Sequence, residues 1–391
     1  MSNVLKISNA KIIDNDKITE GKAIYVSDGK ITAVTNEQLP FDTEYDAKGN
    51  YASSGFIDMH VHGGDGCDFM DDKASVLKAA KFHLNHGTTT ILPTTMTSSD
   101  IALETALINI REVFGSDELL PNFPGVHLEG PYFSYGQRGA QNPDYLKCPK
   151  ESEYKPLYEK YGDIIKRISL AAELDGAVEM CRYMSDRGVL MSVGHSDALY
   201  EDVLKAYENG ATLLTHFYSG MSSITRHSGF RMLGVVEAGY MIDGMDIEII
   251  ADGKHLPPNL LKMIFKLKDH NRISLITDAI RAAGACEGFR GSSGPEGEST
   301  DFVIEDGVAK MTDKSGFVGS IATTDILVRT IVNQVGICLP EAIRLITKHP
   351  ARVLKMDHKK GSICDGFDAD INIFDDDINI KQVFVMGKHV K

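Results

Sequence analysis

Apolar and polar residues follow two different rhythms along this chain. At both ends the pattern is strand-like. Ala23–Ser27 and residues 30–34 flank Asp28-Gly29, a two-residue hairpin signal. Residues 370–374 and 382–386 repeat the strand pattern before Gly387. Two β-rich ends around a different middle predict one small, sandwich-like, discontinuous β domain built from residues 1–52 and 358–391.

In the middle, strand-like and helix-like segments alternate, which predicts βα units around a parallel sheet. Eight strands are expected, at 55–62, 88–93, 124–129, 167–171, 190–195, 211–217, 245–251 and 272–278. Helices are expected between them, for example at 74–86 before Gly87, at 199–209 before Gly210, and at 258–266 with a proline at the start. Eight such units over residues 53–357 fit an α/β fold of the (β/α)8 TIM-like barrel type. No Gly-x-Gly-x-x-Gly follows the first strand, which speaks against a dinucleotide fold. Residues 284–298, rich in glycine and serine, read as a mobile loop after the eighth strand.

Composition narrows the picture. The 391 residues are 42% hydrophobic and 25% charged, as in an ordinary globular protein. No apolar run is long enough to span a membrane, and the first residues carry no signal-peptide pattern. Six scattered cysteines without a Cys-x-x-Cys suggest reduced, mostly buried thiols and a cytoplasmic protein. A formal net charge of −14 argues against nucleic acid or an anionic membrane as partner, while leaving room for a small anionic substrate.

The candidate chemistry lies at the ends of the expected strands, where barrels place their catalytic groups. His60 and His62 finish the first strand, spaced one residue apart and so on the same face. Glu129 ends the third strand, His195 the fifth, His216 the sixth and Asp278 the eighth. Taken singly, each has a plain alternative: a hydrogen-bonded core histidine for His195 or His216, a helix cap for Asp278. Six ligand-type residues on one barrel face point instead to a divalent metal site. His127, on the same side of its strand as Glu129, reads as packing, with a supporting role behind the metal ligands as the alternative; His83 and His86 read as helix surface, and Asp58 shares the face of His60.

The segments Gly55-Phe56-Ile57-Asp58-Met59-His60-Val61-His62-Gly63-Gly64 and His127-Leu128-Glu129-Gly130-Pro131 resemble the amidohydrolase superfamily, and within it the N-acetylglucosamine-6-phosphate deacetylase family. Val193-Gly194-His195-Ser196, Thr215-His216-Phe217-Tyr218, Ala251-Asp252-Gly253-Lys254-His255 and Thr277-Asp278-Ala279 carry the same resemblance. So does the closing stretch Gly361-Ser362-Ile363 through Asp370. Relatives such as dihydroorotase-like enzymes use a lysine on the fourth strand, which has none at its end here.

The resemblance implies hydrolysis of an N-acetyl group on a small phosphorylated amino sugar. Glu129, His195 and His216 would hold the main ion, and His60 and His62 a second, with Glu129 bridging. One or two ions per subunit are open, with zinc expected and iron, manganese or cobalt as alternatives. Asp278 would act as acid and base. His255 and Arg226 would grip the phosphate, Arg226 reaching across a homodimer interface, with His227 and Arg231 as rivals. The remaining substrate contacts would be Gln141, Ser219 and Gly220.

Two departures fall on those contacts. The family's Gly-Thr-His-Asn-Pro is here Gly139-Ala140-Gln141-Asn142-Pro143, and its Tyr-Asn-Ala-Met is Tyr218-Ser219-Gly220-Met221. The galacto epimer of the sugar therefore stays open as substrate, as does another N-acyl anion. A non-catalytic metal-binding barrel is the alternative from a different class; the presence of Asp278 weighs against it.

Overall fold

The computed structural model describes residues 3–14 and 16–390; Met1, Ser2, Asn15 and Lys391, all within the expected terminal β domain, lie outside them. All eight expected barrel strands are present: β1 (Phe56–Val61), β2 (Thr88–Thr95), β3 (Val126–Glu129), β4 (Ile165–Leu170), β5 (Leu190–Val193), β6 (Ala211–Leu214), β7 (Asp246–Ile250) and β8 (Ile273–Ile276). They pair in parallel, each with its sequence neighbours. The ring closes where the Asp278 N–H donates to the His60 carbonyl (2.9 Å) and the His62 N–H to the Ala279 carbonyl (2.8 Å). Parallel strands wrapped by helices are covered on both faces, which is why they read as nearly unbroken apolar runs.

Three strands stop two or more residues short of the expected ends. β5, β6 and β8 finish two residues before His195, His216 and Asp278, whose φ angles are +48°, +32° and +47°. A left-handed residue cannot continue a strand, so the chain turns at each of them. The first connecting helix, α1 (Lys73–Asn85), starts where the Asp72 side chain accepts the Ser75 N–H at 2.9 Å. It ends before Gly87, whose φ of +94° suits glycine.

Both termini enter the small β domain. Leu5–Ser8 and Lys30–Thr35 flank Ala23–Ser27 in one antiparallel set, while Tyr51–Ser54 pairs with Ile371–Phe374 in a second sheet. Ile7, Ile24, Ile12, Ile371 and Phe384 meet in one core between the two sheets.

Two expectations need correction. The stretch 284–298 is no bare loop: Arg290–Ser293 pairs with Thr300–Glu305 in a four-stranded antiparallel sheet. Phe302, Ile304 and Val318 of that sheet pack on Ile280, so a local apolar core holds it to the mouth of the barrel. The thiols are free, as expected, but only Cys181 is buried, whereas Cys148, Cys286 and Cys338 are exposed. No helix among the described residues is long and apolar enough to cross a membrane.

Candidate metal centre

The six strand-end residues converge. Glu129 is the last residue of β3, and its Oε1 lies 2.9 Å from His216 Nε2, 3.3 Å from His195 Nε2 and 3.2 Å from His60 Nε2. Its Oε2 lies 3.3 Å from His62 Nε2. Asp278 Oδ1 stands 3.1 Å from His62 Nε2 and 3.3 Å from His60 Nε2. Within the histidine pairs, the Nε2 atoms are 3.2 Å apart for His60 and His62 and 3.1 Å for His195 and His216. All six are buried.

Tautomers follow from what the other ring nitrogens meet. His195 Nδ1–H donates to the Gln137 carbonyl (2.8 Å) and His216 Nδ1–H to the Ser219 carbonyl (3.1 Å). Each Nε2 is thereby left as an acceptor. Imidazole lone pairs and carboxylate oxygens, all acceptors, then point at one another in a water-poor site, an arrangement that a divalent cation satisfies. The donor set fits a metal. His60, His62 and Asp278 form one trio able to hold an ion; His60, Glu129 and His216 form another.

Without an ion, protons take its place. Burial pulls the His60 imidazolium down, but Glu129 and Asp278 outweigh it and set the group at about 9. His62, likewise opposed by burial, is held at about 10 by Asp278 and Glu129. Burial pushes Glu129 up, yet the surrounding histidines bring it well below the usual carboxylate range. Asp278 is lowered in the same way, chiefly by His60 and His62 against its burial.

A cavity of about 240 Å³ opens above these atoms, lined by His62, Glu129, His195, His216 and Asp278, and further out by Gln141, Ser219, Gly220 and His255. Gln141 is buried: its Nε2 donates to Glu129 Oε2 (2.8 Å) and its Oε1 accepts the Thr97 N–H (2.7 Å). The side chain expected at the sugar thus also touches Glu129. His255 bonds Asp252 Oδ2 through Nδ1 (2.7 Å), leaving Nε2 free of that pair. Burial lowers His255, but Asp252 outweighs it, and the imidazole keeps its proton more firmly than usual. Arg226, His227 and Arg231 do not line the cavity; they are exposed on the hairpin of Thr225–His227 and Phe230–Met232.

Several residues differ from their sequence reading. His83 is not on the surface: it is fully buried, and its Nε2 meets the Gly63 carbonyl at 2.9 Å, next to the His60–His62 segment. His86 is half-buried rather than on the surface: it caps α1, and its Nδ1 lies 3.4 Å from Asp325 Oδ1. His127 is part of a polar network, with Nε2 2.7 Å from Ser169 Oγ and its ring edge-on to His60. Asp58 accepts from the His60 N–H (3.3 Å) and the Thr277 hydroxyl (2.5 Å), tying β1 to β8. Two residues went unnoticed in the sequence: Arg167 on β4 and Glu248 on β7, a fully buried ion pair inside the barrel beneath His60. A partial signal was there: each is a charge in the middle of an isoleucine-rich strand, although Lys166 and Asp246 on the same strands blunt it.

The model of the amidohydrolase family matches residues 51–390. The chain is 31% identical to the N-acetylgalactosamine-6-phosphate deacetylase of Escherichia coli O157:H7, over 99% of both chains. It is 30% identical to the N-acetylglucosamine-6-phosphate deacetylase of Bacillus subtilis, over 97% of this chain and 95% of that one. Among solved structures, the N-acetylglucosamine-6-phosphate deacetylase of Pasteurella multocida superposes with a TM-score of 0.90 at 30% identity, covering 99% of each chain. A Mycobacterium smegmatis enzyme solved in complex with N-acetyl-D-glucosamine-6-phosphate gives 0.87 at 26% identity, covering 100% and 99%.

Proposed function

This chain belongs to the amidohydrolase family, and from that premise we propose that it hydrolyses the N-acetyl group of N-acetylglucosamine 6-phosphate, giving glucosamine 6-phosphate and acetate. The observation that carries the reading is Glu129 set between two pairs of imidazole Nε2 atoms, with Asp278 beside them. Glu129, His195 and His216 would hold one ion, and His60 and His62 would hold a second. Zinc suits imidazole and carboxylate donors, with iron, manganese or cobalt next. When bound, a divalent ion brings the pKa of water toward neutrality and polarises the amide carbonyl.

The chain's own groups do the rest. Asp278, held as a carboxylate, takes a proton from the attacking water. As the C–N bond breaks, it returns that proton to the sugar nitrogen, because an amine anion cannot leave unprotonated. His255, favouring its imidazolium at the cavity edge, binds the phosphate.

No lysine or arginine lines the cavity among the described residues. That favours Arg226 as a phosphate ligand given by a second copy, in a homodimer joined through the exposed hairpin and its Ile224 and Phe230. We read the enzyme as cytoplasmic. The galacto epimer is a second reading, favoured by the relative in Escherichia coli and by Gln141 and Ser219-Gly220 at the substrate contacts.

The test is primary-amine release by metal-replete protein from both N-acetylhexosamine 6-phosphates and from the unphosphorylated sugars, with Asp278→Asn as control. Release from the gluco substrate, lost in the variant by roughly 10²–10⁴-fold, supports the reaction and the base. Faster turnover of the galacto substrate shifts the assignment to that epimer. No release from any of them sinks it.

A further inference from the structure

Of the four histidines, His195 and His216 direct Nε2 inward because a backbone carbonyl accepts their Nδ1–H. His60 sits deeper in the barrel, and its Nδ1, fully buried, has no hydrogen-bond partner. The charged atom facing it is Glu248 Oε2, at 3.8 Å. We propose that Glu248, backed by Arg167, is the positioning residue of the second ion's site: it accepts the Nδ1 proton of His60 and so presents Nε2 to the metal. The inference rests on the two-ion reading above and adds the residues that serve the second ion.

The geometry argues for a purpose beyond filling the barrel. Glu248 is gripped by both arms of the Arg167 guanidinium, through Nη1 to Oε1 and through Nη2 to Oε2 at 2.7 Å. Arg167 is itself fixed by the Met59 carbonyl (3.1 Å), the Ser192 hydroxyl (3.2 Å) and the Thr215 hydroxyl (3.0 Å). The carboxylate therefore cannot swing toward solvent, and its orientation under His60 is set by β1, β4 and β5 together with Thr215 just past β6. A buried ion pair does little for stability compared with apolar residues of the same volume. A carboxylate behind a ligating histidine, in contrast, fixes its tautomer and ring angle, and losing it commonly costs 10–100-fold in metal affinity. An ion on Nε2 leaves the ring's remaining proton on Nδ1, and Glu248 is placed to receive it.

The test compares the wild type with the double variant Arg167→Met/Glu248→Leu, which leaves no unpaired charge in the barrel and no acceptor at position 248. Metal content and zinc affinity are measured by titration after chelation, with thermal melts to establish folding. The expected result is two ions in the wild type and, in a folded double variant, a 10–100-fold weaker second ion beside an unchanged first. A folded double variant that binds both ions as the wild type does overturns the role of Glu248 while sparing the two-ion reading. A wild type that holds one ion overturns that reading, and this role with it. Should the double variant not fold, ¹⁵N-histidine spectra of the zinc-loaded wild type decide: an Nδ1–H tautomer of His60 is expected, and an Nε2–H tautomer refutes the proposal.

Discussion

Gln141 and Glu129 share a hydrogen bond of 2.8 Å, Nε2 to Oε2, and it ties a cavity-wall amide to the carboxylate at the heart of the site. Both ends of the amide are committed, since Oε1 takes the Thr97 N–H. Gln141→Leu keeps the volume but strips Glu129 of a donor and leaves that N–H unpaired. A hydrogen bond to a charged group is worth about 1.5–3 kcal/mol. Steady-state kinetics should therefore show kcat/KM reduced roughly 10- to 100-fold; an unchanged value would mean the contact is idle.

Metal binding should expel protons. With His60 at about 9 and His62 at about 10 in the ion-free protein, both rings are protonated at neutral pH and must lose those protons to bind. Calorimetric titrations at pH 7.5 in buffers of different ionisation enthalpy should reveal net proton release. Apparent affinity should climb as pH rises toward 9–10. Affinity flat with pH would contradict this.

Gly220 has a φ of +57°, and a Cβ there would lie 2.9 Å from both the Gln137 carbonyl oxygen and His195 Nδ1. Those two atoms form the bond that sets the His195 tautomer. Gly220→Ala should lower the melting temperature by a few degrees, from about 1–2 kcal/mol of left-handed strain. It should also weaken the ion held with His195, seen in the same metal titration.

Acid should unfold the ion-free protein partly through His83. Burial depresses it to about 4, against 6.5 when unfolded. Its contribution to stability is thus complete above pH 6.5 and is lost as pH falls toward 4, amounting to on the order of 3 kcal/mol. Urea melts of His83→Gln should lose less stability between pH 7 and 4.5 than those of the wild type. Parallel losses in the two proteins would acquit His83.

If Arg226 serves a neighbouring subunit, two inactive proteins can rescue each other. Mixing Arg226→Ala with Asp278→Asn gives heterodimers in which one site has both groups. Activity should reappear on subunit exchange. Silence in confirmed heterodimers would place Arg226 outside the phosphate site.

The barrel and its six strand-end residues were legible because each obeys a local rule: an apolar run, then a ligand-type residue where the run stops. What escaped was non-local. Arg167 and Glu248 are intelligible only as a pair, and the strands that bring them together are separated by 81 positions in sequence. His83 lies on a helix whose period alone cannot reveal that Gly63 waits behind it. The sheet containing Arg290–Ser293 hid behind glycine and serine, residues that usually announce loops; its partners lie downstream in Thr300–Glu305.

His195, His216 and Asp278 each occupy a left-handed backbone conformation that L-residues resist by roughly 1–2 kcal/mol. An engineer pursuing heat resistance meets a hazard there. Glycine at His195 or His216, or asparagine at Asp278, eases the backbone or the crowding of buried charge, so libraries ranked by melting alone will enrich inert proteins. Any such campaign on this scaffold has to keep those three positions fixed or screen for turnover at every round.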